Sequence, residues 1–474
     1  MNDSSKKGQF LKTFFGIILM VQLAACASHY PINKPIESIE SVQQLSSVDK
    51  PDSHSDDLLL ILTFSGGGTR AAAFAYGVLQ TLADTQIVVN GRKRRLLDEV
   101  DAISSVSGGS FTAAYYGLFK DRIFEDFEAK FLKYDVQSEL TKRVLSPLNW
   151  PKLASLHYDR SDLAADYYDE LLFEKKTFQD FIKANSPLIA INATNVGMRC
   201  PFTFIAADFV PICADLLSYP VSRAVTASSA VPGAFTSIII KNYAGTCGYQ
   251  LPDWVTKTLD ERHVNTRQYH LAKILSDYQD TEAQSYIHLL DGGISDNLGI
   301  RVIINLTYMA GDIWNKLQEL DLTKTRKLAI IAVNAQKAVD TSFTRRDFSV
   351  PIFDTIGVVG SIPLDQYSFE TMEFLRYNMS RWQESITVGR CGDATSITDV
   401  NKRDNQGKAP ACAAQTYLIE VDFARLQDAS EREHLRQLPT TFHLEPSDVD
   451  RLKAAASKIL ADSPEFKKIV GDMQ

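Results

Sequence analysis

The chain is 474 residues long and carries 50 Lys and Arg against 58 Asp and Glu, a formal net charge of −8. Its 45% hydrophobic and 23% charged content is that of an ordinary globular protein, which excludes wholesale disorder and gives no support to a fibrous repeat. The acidic balance argues against nucleic acid as a partner, since that affinity rests on cations displacing the counterions of phosphate, and six cysteines are too few for a disulfide framework to define the fold.

The first residues read as an address. Lys6, Lys7 and Lys12 precede an apolar run, Thr13–Val21, that is too short to span a bilayer comfortably and fits the apolar stretch of a secretory signal. Leu23-Ala24-Ala25-Cys26 follows directly and resembles the bacterial lipobox, against the alternative of an ordinary signal with a chance cysteine. That resemblance implies removal of residues 1–25, lipidation of Cys26 and, with Ala27 next to it, an outer-membrane location in a Gram-negative cell. Residues 26–56, rich in Ser and Pro, read as a lipidated start and flexible tether, and 57–474 as the folded domain. The charge of −8 offers no general attraction to anionic lipid, so membrane contact is expected through Cys26. Export permits disulfides, and spacing favours Cys200–Cys213 and Cys391–Cys412, leaving Cys247 free.

The folded part alternates strand-like and helix-like segments. Leu58–Phe64 is a continuous apolar run, as expected of a strand buried on both faces, and Ala71–Leu82 is a small, apolar helix that lies close to a sheet. Asp101–Val106 reads as a strand and Gly109–Phe119 as a helix. Further strands are expected at Leu188–Ala193, His288–Leu290, Leu328–Val333 and Tyr417–Val421. Helices are expected at Asp121–Tyr134, Asp162–Phe173, Asn265–Asp277 and from Ser447, where a cap-competent serine stands three residues before Asp450. This alternation predicts an α/β fold of three layers, α/β/α, around a mostly parallel sheet with helical insertions.

Three polar, glycine-containing turns fall where such a fold places chemistry, beyond the carboxyl ends of strands. Ser65-Gly66-Gly67-Gly68-Thr69-Arg70 lets backbone N–H groups converge at a helix start, an anion cradle for a phosphate or a developing oxyanion. Ser105-Val106-Ser107-Gly108-Gly109 forms a strand-to-helix elbow that lifts Ser107 above the sheet as a nucleophile, with Ser105 where the familiar pattern has glycine. Asp291-Gly292-Gly293 places a carboxylate at a strand end, able to take the Ser107 proton or orient its hydroxyl; a turn-starting aspartate is the plain alternative. His288, three residues before Asp291 on a period-two strand, points to the opposite face and is expected in the core.

Together these stretches resemble the patatin-like phospholipases: SGGGTR (65–70), SVSGG (105–109) and DGG (291–293) stand in that family's order, and ASSAVPGAF (227–235) matches a fourth segment. The resemblance covers roughly 58–300, with Ala71 and Ser105 departing from the family's glycines. It implies an acyl-ester lipid hydrolase without metal or other cofactor, acting on membrane phospholipid or a related ester. Its parts would be a Ser107–Asp291 dyad, an oxyanion hole from Gly66, Gly67 and Gly68, and Arg70 as an accessory to loop geometry or lipid phosphate, or in a structural salt bridge.

Two rival readings stand beside it. Gly66-x-Gly68-x-x-Ala71 satisfies a dinucleotide-binding pattern, with the basic run Arg92–Arg95 placed for a phosphate or lying in a solvated turn, but this leaves both reactive turns unexplained. A catalytically silent lipid-binding or assembly lipoprotein on the same fold is the non-enzyme alternative. Residues 242–284, between two site-forming segments, suggest a lid or interfacial surface, and the aromatic stretch 352–377 either the same or core.

Overall fold

A computed structural model describes residues 33–36, 54–261, 266–338, 352–392 and 412–474. Cys26, the expected signal and most of the expected tether lie outside the described residues. The tether residues that are described are docked: the Ile36 amide donates to the Cys213 carbonyl at 2.9 Å, and Asn33 exchanges two hydrogen bonds with the Lys241 backbone.

The core is one sheet in the order β10-β9-β1-β4-β5-β8-β7, with β6 pairing on β5. Its strands are β1 Leu58–Phe64, β4 Val100–Val106, β5 Leu188–Asn195, β6 Cys200–Phe204, β7 Ile238–Lys241, β8 Tyr286–Asp291, β9 Lys327–Asn334 and β10 Gln415–Asp422. β10, β9, β1, β4 and β5 run parallel, whereas β6, β7 and β8 form antiparallel pairs at one side. The three-layer, mostly parallel α/β/α fold expected from the alternation is therefore present.

Period-two alternation builds the two outer layers. Leu58, Leu60, Leu62 and Phe64 of β1 join Ala329, Ile331 and Val333 of β9 in the larger core, under the helices Gly68–Asp84, Gly108–Phe119 and Pro446–Asp462. Leu59, Leu328 and Ile330 face the other way and meet Leu375, Trp382 and Ile386 of the helix Ile352–Cys391. The 352–377 stretch thus belongs to that helix, part core and part exposed, with Phe369 on the surface.

Several local expectations change. The 121–134 and 162–173 helices are divided, each containing a π-helical piece, at Ile123–Leu132 and Asp169–Phe173. The C-terminal helix begins at Pro446 behind Glu445, because proline suits a first turn whose N–H is unpaired anyway. Arg92–Arg95 is not a turn. It forms β3, paired with β2 (Gln86–Val89) around a tight Asn90-Gly91 turn, and Arg94 and Arg95 face Glu99, Asp98 and Asp121. The disulfides are Cys213–Cys247 and Cys391–Cys412, with Cys200 free and buried. Spacing missed the first pair because Cys200 is carried inward on β6, whereas the 242–249 loop folds back over Cys213.

Candidate active site

β1 and β4 are parallel neighbours with Phe64 opposite Ser105, so the glycine loop and the serine elbow emerge side by side from the same sheet edge. The third group arrives by a different route. β8 runs antiparallel to β5, yet pairs only with its last residues, Ala193 opposite Asp291 and Asn195 opposite Leu289. Val106 is opposite Asn192 on the other side of β5, so Asp291 and Ser107 reach the same level with one strand between them.

Ser107 sits at φ 50°, ψ −120°, a conformation that L-residues avoid. The surroundings hold it there. Its amide donates to Ser228 Oγ at 2.8 Å, Ser228 in turn donates to the Asn192 carbonyl at 2.6 Å, and Asn192 donates to Ser104 Oγ and the Ser105 carbonyl. Glycines flank it by necessity: a Cβ on Gly108 would lie 2.0 Å from the Gly68 carbonyl oxygen, and one on Gly109 2.7 Å from that of Ser65. Ser105, which replaces a third glycine, is fully buried against the Ala190 carbonyl.

The Ser107 hydroxyl stands close enough to the Asp291 carboxylate to favour its charged form, and that carboxylate accepts from the Gly293 amide at 2.7 Å. Burial outweighs both stabilising effects and pushes the carboxyl up to about 6, a more competent base than a free aspartate. Thr194 Oγ1 donates to the Asp291 carbonyl, and the Asp291 amide donates to the Ala230 carbonyl, so the strand end cannot swing. His288 lies on the opposite face as expected but is exposed, not in the core, with Nδ1 3.2 Å from Ser237 Oγ.

In the glycine loop, Gly67 has φ 142° and Gly68 φ 61°, which turn consecutive amides toward one side at the start of the helix Gly68–Asp84. The Gly66 amide is committed elsewhere, donating to the Asn297 carbonyl at 3.0 Å. Among the described residues, the Gly67 and Gly68 amides have no recorded acceptor. Gly68 is pressed against Thr441, whose carbonyl accepts from Thr69.

Arg70 is buried and ties three segments together. Its Nε donates to the Ala335 carbonyl at 2.8 Å, and its terminal nitrogens to the Leu438 carbonyl at 2.5 Å and Thr440 Oγ1 at 3.1 Å. Desolvation lowers the guanidinium to about 10, which leaves it charged at neutral pH. It makes no salt bridge among the described residues and is enclosed by neutral partners, so of the three expected roles loop geometry is the one its contacts match.

Two residues that the sequence did not single out complete the arrangement. Ser228 braces the elbow as described. Asn297 places its side-chain oxygen where a Cβ on Gly66 (2.5 Å) or Gly293 (2.9 Å) would stand, between the glycine loop and the aspartate turn. The 242–284 insertion, by contrast, leaves β7 and enters β8 at the Lys241–Tyr286 pair. That end is five residues, about 17 Å of strand, from Asp291. A disulfide pins the insertion's first residues, through Cys247, to Cys213. No group of His, Cys, Asp or Glu able to hold a metal ion occurs among the described residues.

A family model described as patatin-like phospholipase matches residues 62–304. Among solved structures, human GIVD cytosolic phospholipase A2 aligns with a TM-score of 0.43 at 12% identity, covering 88% of this chain and 62% of that one. The same human enzyme in complex with methyl gamma-linolenyl fluorophosphonate aligns with a TM-score of 0.38 at 11% identity, covering 88% and 60%. This chain therefore spans about three fifths of the length of those structures. A comparison with curated proteins found no match.

Proposed function

Because the chain belongs to the patatin-like phospholipase family, whose members are lipid acyl hydrolases, we propose that it cleaves acyl esters of membrane phospholipid or a related lipid through a Ser107–Asp291 dyad. The observation that carries this reading is a serine held at positive φ beside a buried carboxylate raised to about 6.

In the proposed reaction Ser107 Oγ attacks the ester carbonyl carbon while its proton passes to Asp291. The tetrahedral oxyanion takes hydrogen bonds from the Gly67 and Gly68 amides, each such donor being worth about 3 kcal/mol in the transition state. Gly66, whose amide is occupied by Asn297, contributes shape instead of a donor. Protonated Asp291 then gives its proton to the departing alcohol, and the acyl-serine is hydrolysed by a water that Asp291 deprotonates. Asp291 is suited to both halves because a pKa near 6 lies close to a neutral working pH.

Anchoring by acylated Cys26 at the outer membrane, with the following residues as tether to a domain from 57 onward, belongs to the same proposal. A clickable palmitate analogue should label the chain and not its Cys26→Ser variant. The catalytic proposal is tested with a fluorophosphonate probe and lipid mass spectrometry. Labelling and fatty-acid release are expected for the unmodified protein and absent in Ser107→Ala. Labelling of both proteins alike would overturn the assignment, and a folded protein that binds lipid without releasing fatty acid would favour the silent lipoprotein.

A further inference from the structure

The segment 142–160 is unusual in what it leaves in solvent. Leu145 is 68% exposed, Leu148 88%, Trp150 59% and Leu156 97%. Single exposed apolar residues are ordinary, but four large ones within twelve positions of one segment form a patch that calls for a partner.

Both ends of this segment are stapled to loops that border the site. At its entry, Gln137 exchanges two hydrogen bonds with the Phe442 backbone, next to Thr441, which packs against Gly68 of the glycine loop. At its exit, Arg160 donates to the Gly233 carbonyl at 3.4 Å and Ser161 Oγ to the Thr236 carbonyl at 2.7 Å. That loop also contains Ala230, which holds the Asp291 amide. The strap thus runs from the flank of the oxyanion loop to the flank of the aspartate. Val231, next to Ala230, and Ile294, next to Gly293, are also exposed, at 42% and 46%.

Charge selects the occupant. The chain as a whole is −8, but of the strap's cations only Lys142 and Arg143 are paired, with Glu139 and Glu170, and Lys152 and Arg160 stand beside the apolar crest without an acidic partner among the described residues. Leucines and a tryptophan at the crest, with lysine and arginine beside them, match the acyl boundary and phosphate layer of a bilayer. We infer that the 142–160 strap is the face by which this domain docks on a phospholipid surface, inserting Leu148, Trp150 and Leu156 and setting the mouth of the site against the lipid. This adds a partner surface to the proposed hydrolase and rests on that reading only for its purpose. It also departs from the expectation that contact comes through Cys26 alone: the net charge is repulsive to anionic lipid, but Lys152 and Arg160 lie on the strap itself.

The test uses the full chain in a Ser107→Ala background, so that docking is read without turnover. Phosphatidylcholine vesicles with acyl chains brominated near the carbonyl, with and without phosphatidylglycerol, should quench Trp150 emission, more strongly with the anionic lipid. Trp150→Phe identifies the quenched residue: it should remove the quenching, while Trp254, Trp314 and Trp382 remain as emitters. Leu148→Ser/Leu156→Ser alters two solvent-exposed positions, so folding is retained, and it should abolish the quenching whatever the N-terminal segment does. With Ser107 restored, the same pair should lower vesicle hydrolysis at least about tenfold, the factor expected from one lost leucine insertion, with hydrolysis of a soluble short-chain ester unchanged. Trp150 left unquenched by either vesicle, or quenched equally in the leucine variant, overturns the docking surface. So does a dimer that the leucine variant dissolves. Absence of turnover on every ester overturns the catalytic reading alone, because the quenching does not depend on it.

Discussion

Replacing Asp291 by Asn should abolish turnover and at the same time stabilise the protein, by an amount that depends on pH. The carboxyl is pushed from 3.8 to about 6 by burial, against the opposing effects of Gly293 and Ser107. A group whose folded pKa lies above its unfolded value favours the fold fully below the unfolded pKa and loses that contribution as pH rises through the folded one. Between about pH 4 and 6 the native state is therefore penalised progressively for ionising Asp291. The shift of roughly two units corresponds to about 3 kcal/mol once the group is fully charged. Asparagine keeps the shape, can accept from the Gly293 amide and donate to Ser107 Oγ, and carries no charge to desolvate. Denaturation midpoints of the two proteins from pH 4 to 8 should diverge with rising pH and run parallel above about 6, with the variant more stable. Turnover by the unmodified protein should fall on the acid side through the same pKa. A stability gap independent of pH would refute the reasoning, since it would mean that the carboxyl does not titrate in the raised range. A gap that closes with rising pH would show that the hydrogen bonds outweigh desolvation.

Other substitutions probe the remaining parts. Ser107→Gly should be more stable than Ser107→Ala by about 1 kcal/mol in chemical denaturation, because only glycine takes φ 50° without strain, and both should be inactive. Arg70→Met leaves the buried Ala335 and Leu438 carbonyls without their donor and should cost about 3 kcal/mol or more. Its activity should fall equally on phospholipid and on a phosphate-free ester, which a role in binding lipid phosphate would not predict. Cys200 should resist alkylation in the native protein and react after denaturation without reductant. Loss of the Cys213–Cys247 bridge, with its sequence separation of 34, should lower stability by about 3–4 kcal/mol in a reversible denaturation assay.

The sequence by itself determined the parts that local chemistry dictates. A short apolar run such as Leu58–Phe64 before a glycine turn reads as a strand covered on both faces, and a Ser-x-Ser-Gly-Gly elbow between strand and helix permits the close backbone approach of Gly108 to Gly68. The three reactive turns could therefore be read, with their residue types, before any coordinates. Their meeting could not be. Asp291 reaches Ser107 only because antiparallel β8 pairs with the last residues of β5, a register that no periodicity within either segment encodes. Long-range pairing likewise decided that Cys213 joins Cys247, that the Gly66 amide belongs to Asn297, and that Arg70 clamps carbonyls on two distant loops. Exposure was equally hidden: leucines at 148 and 156 look the same in sequence as buried ones, and net charge averages away the basic strap that carries them. Composition and spacing report what each segment is able to do, whereas proximity and burial are properties of the whole packed chain.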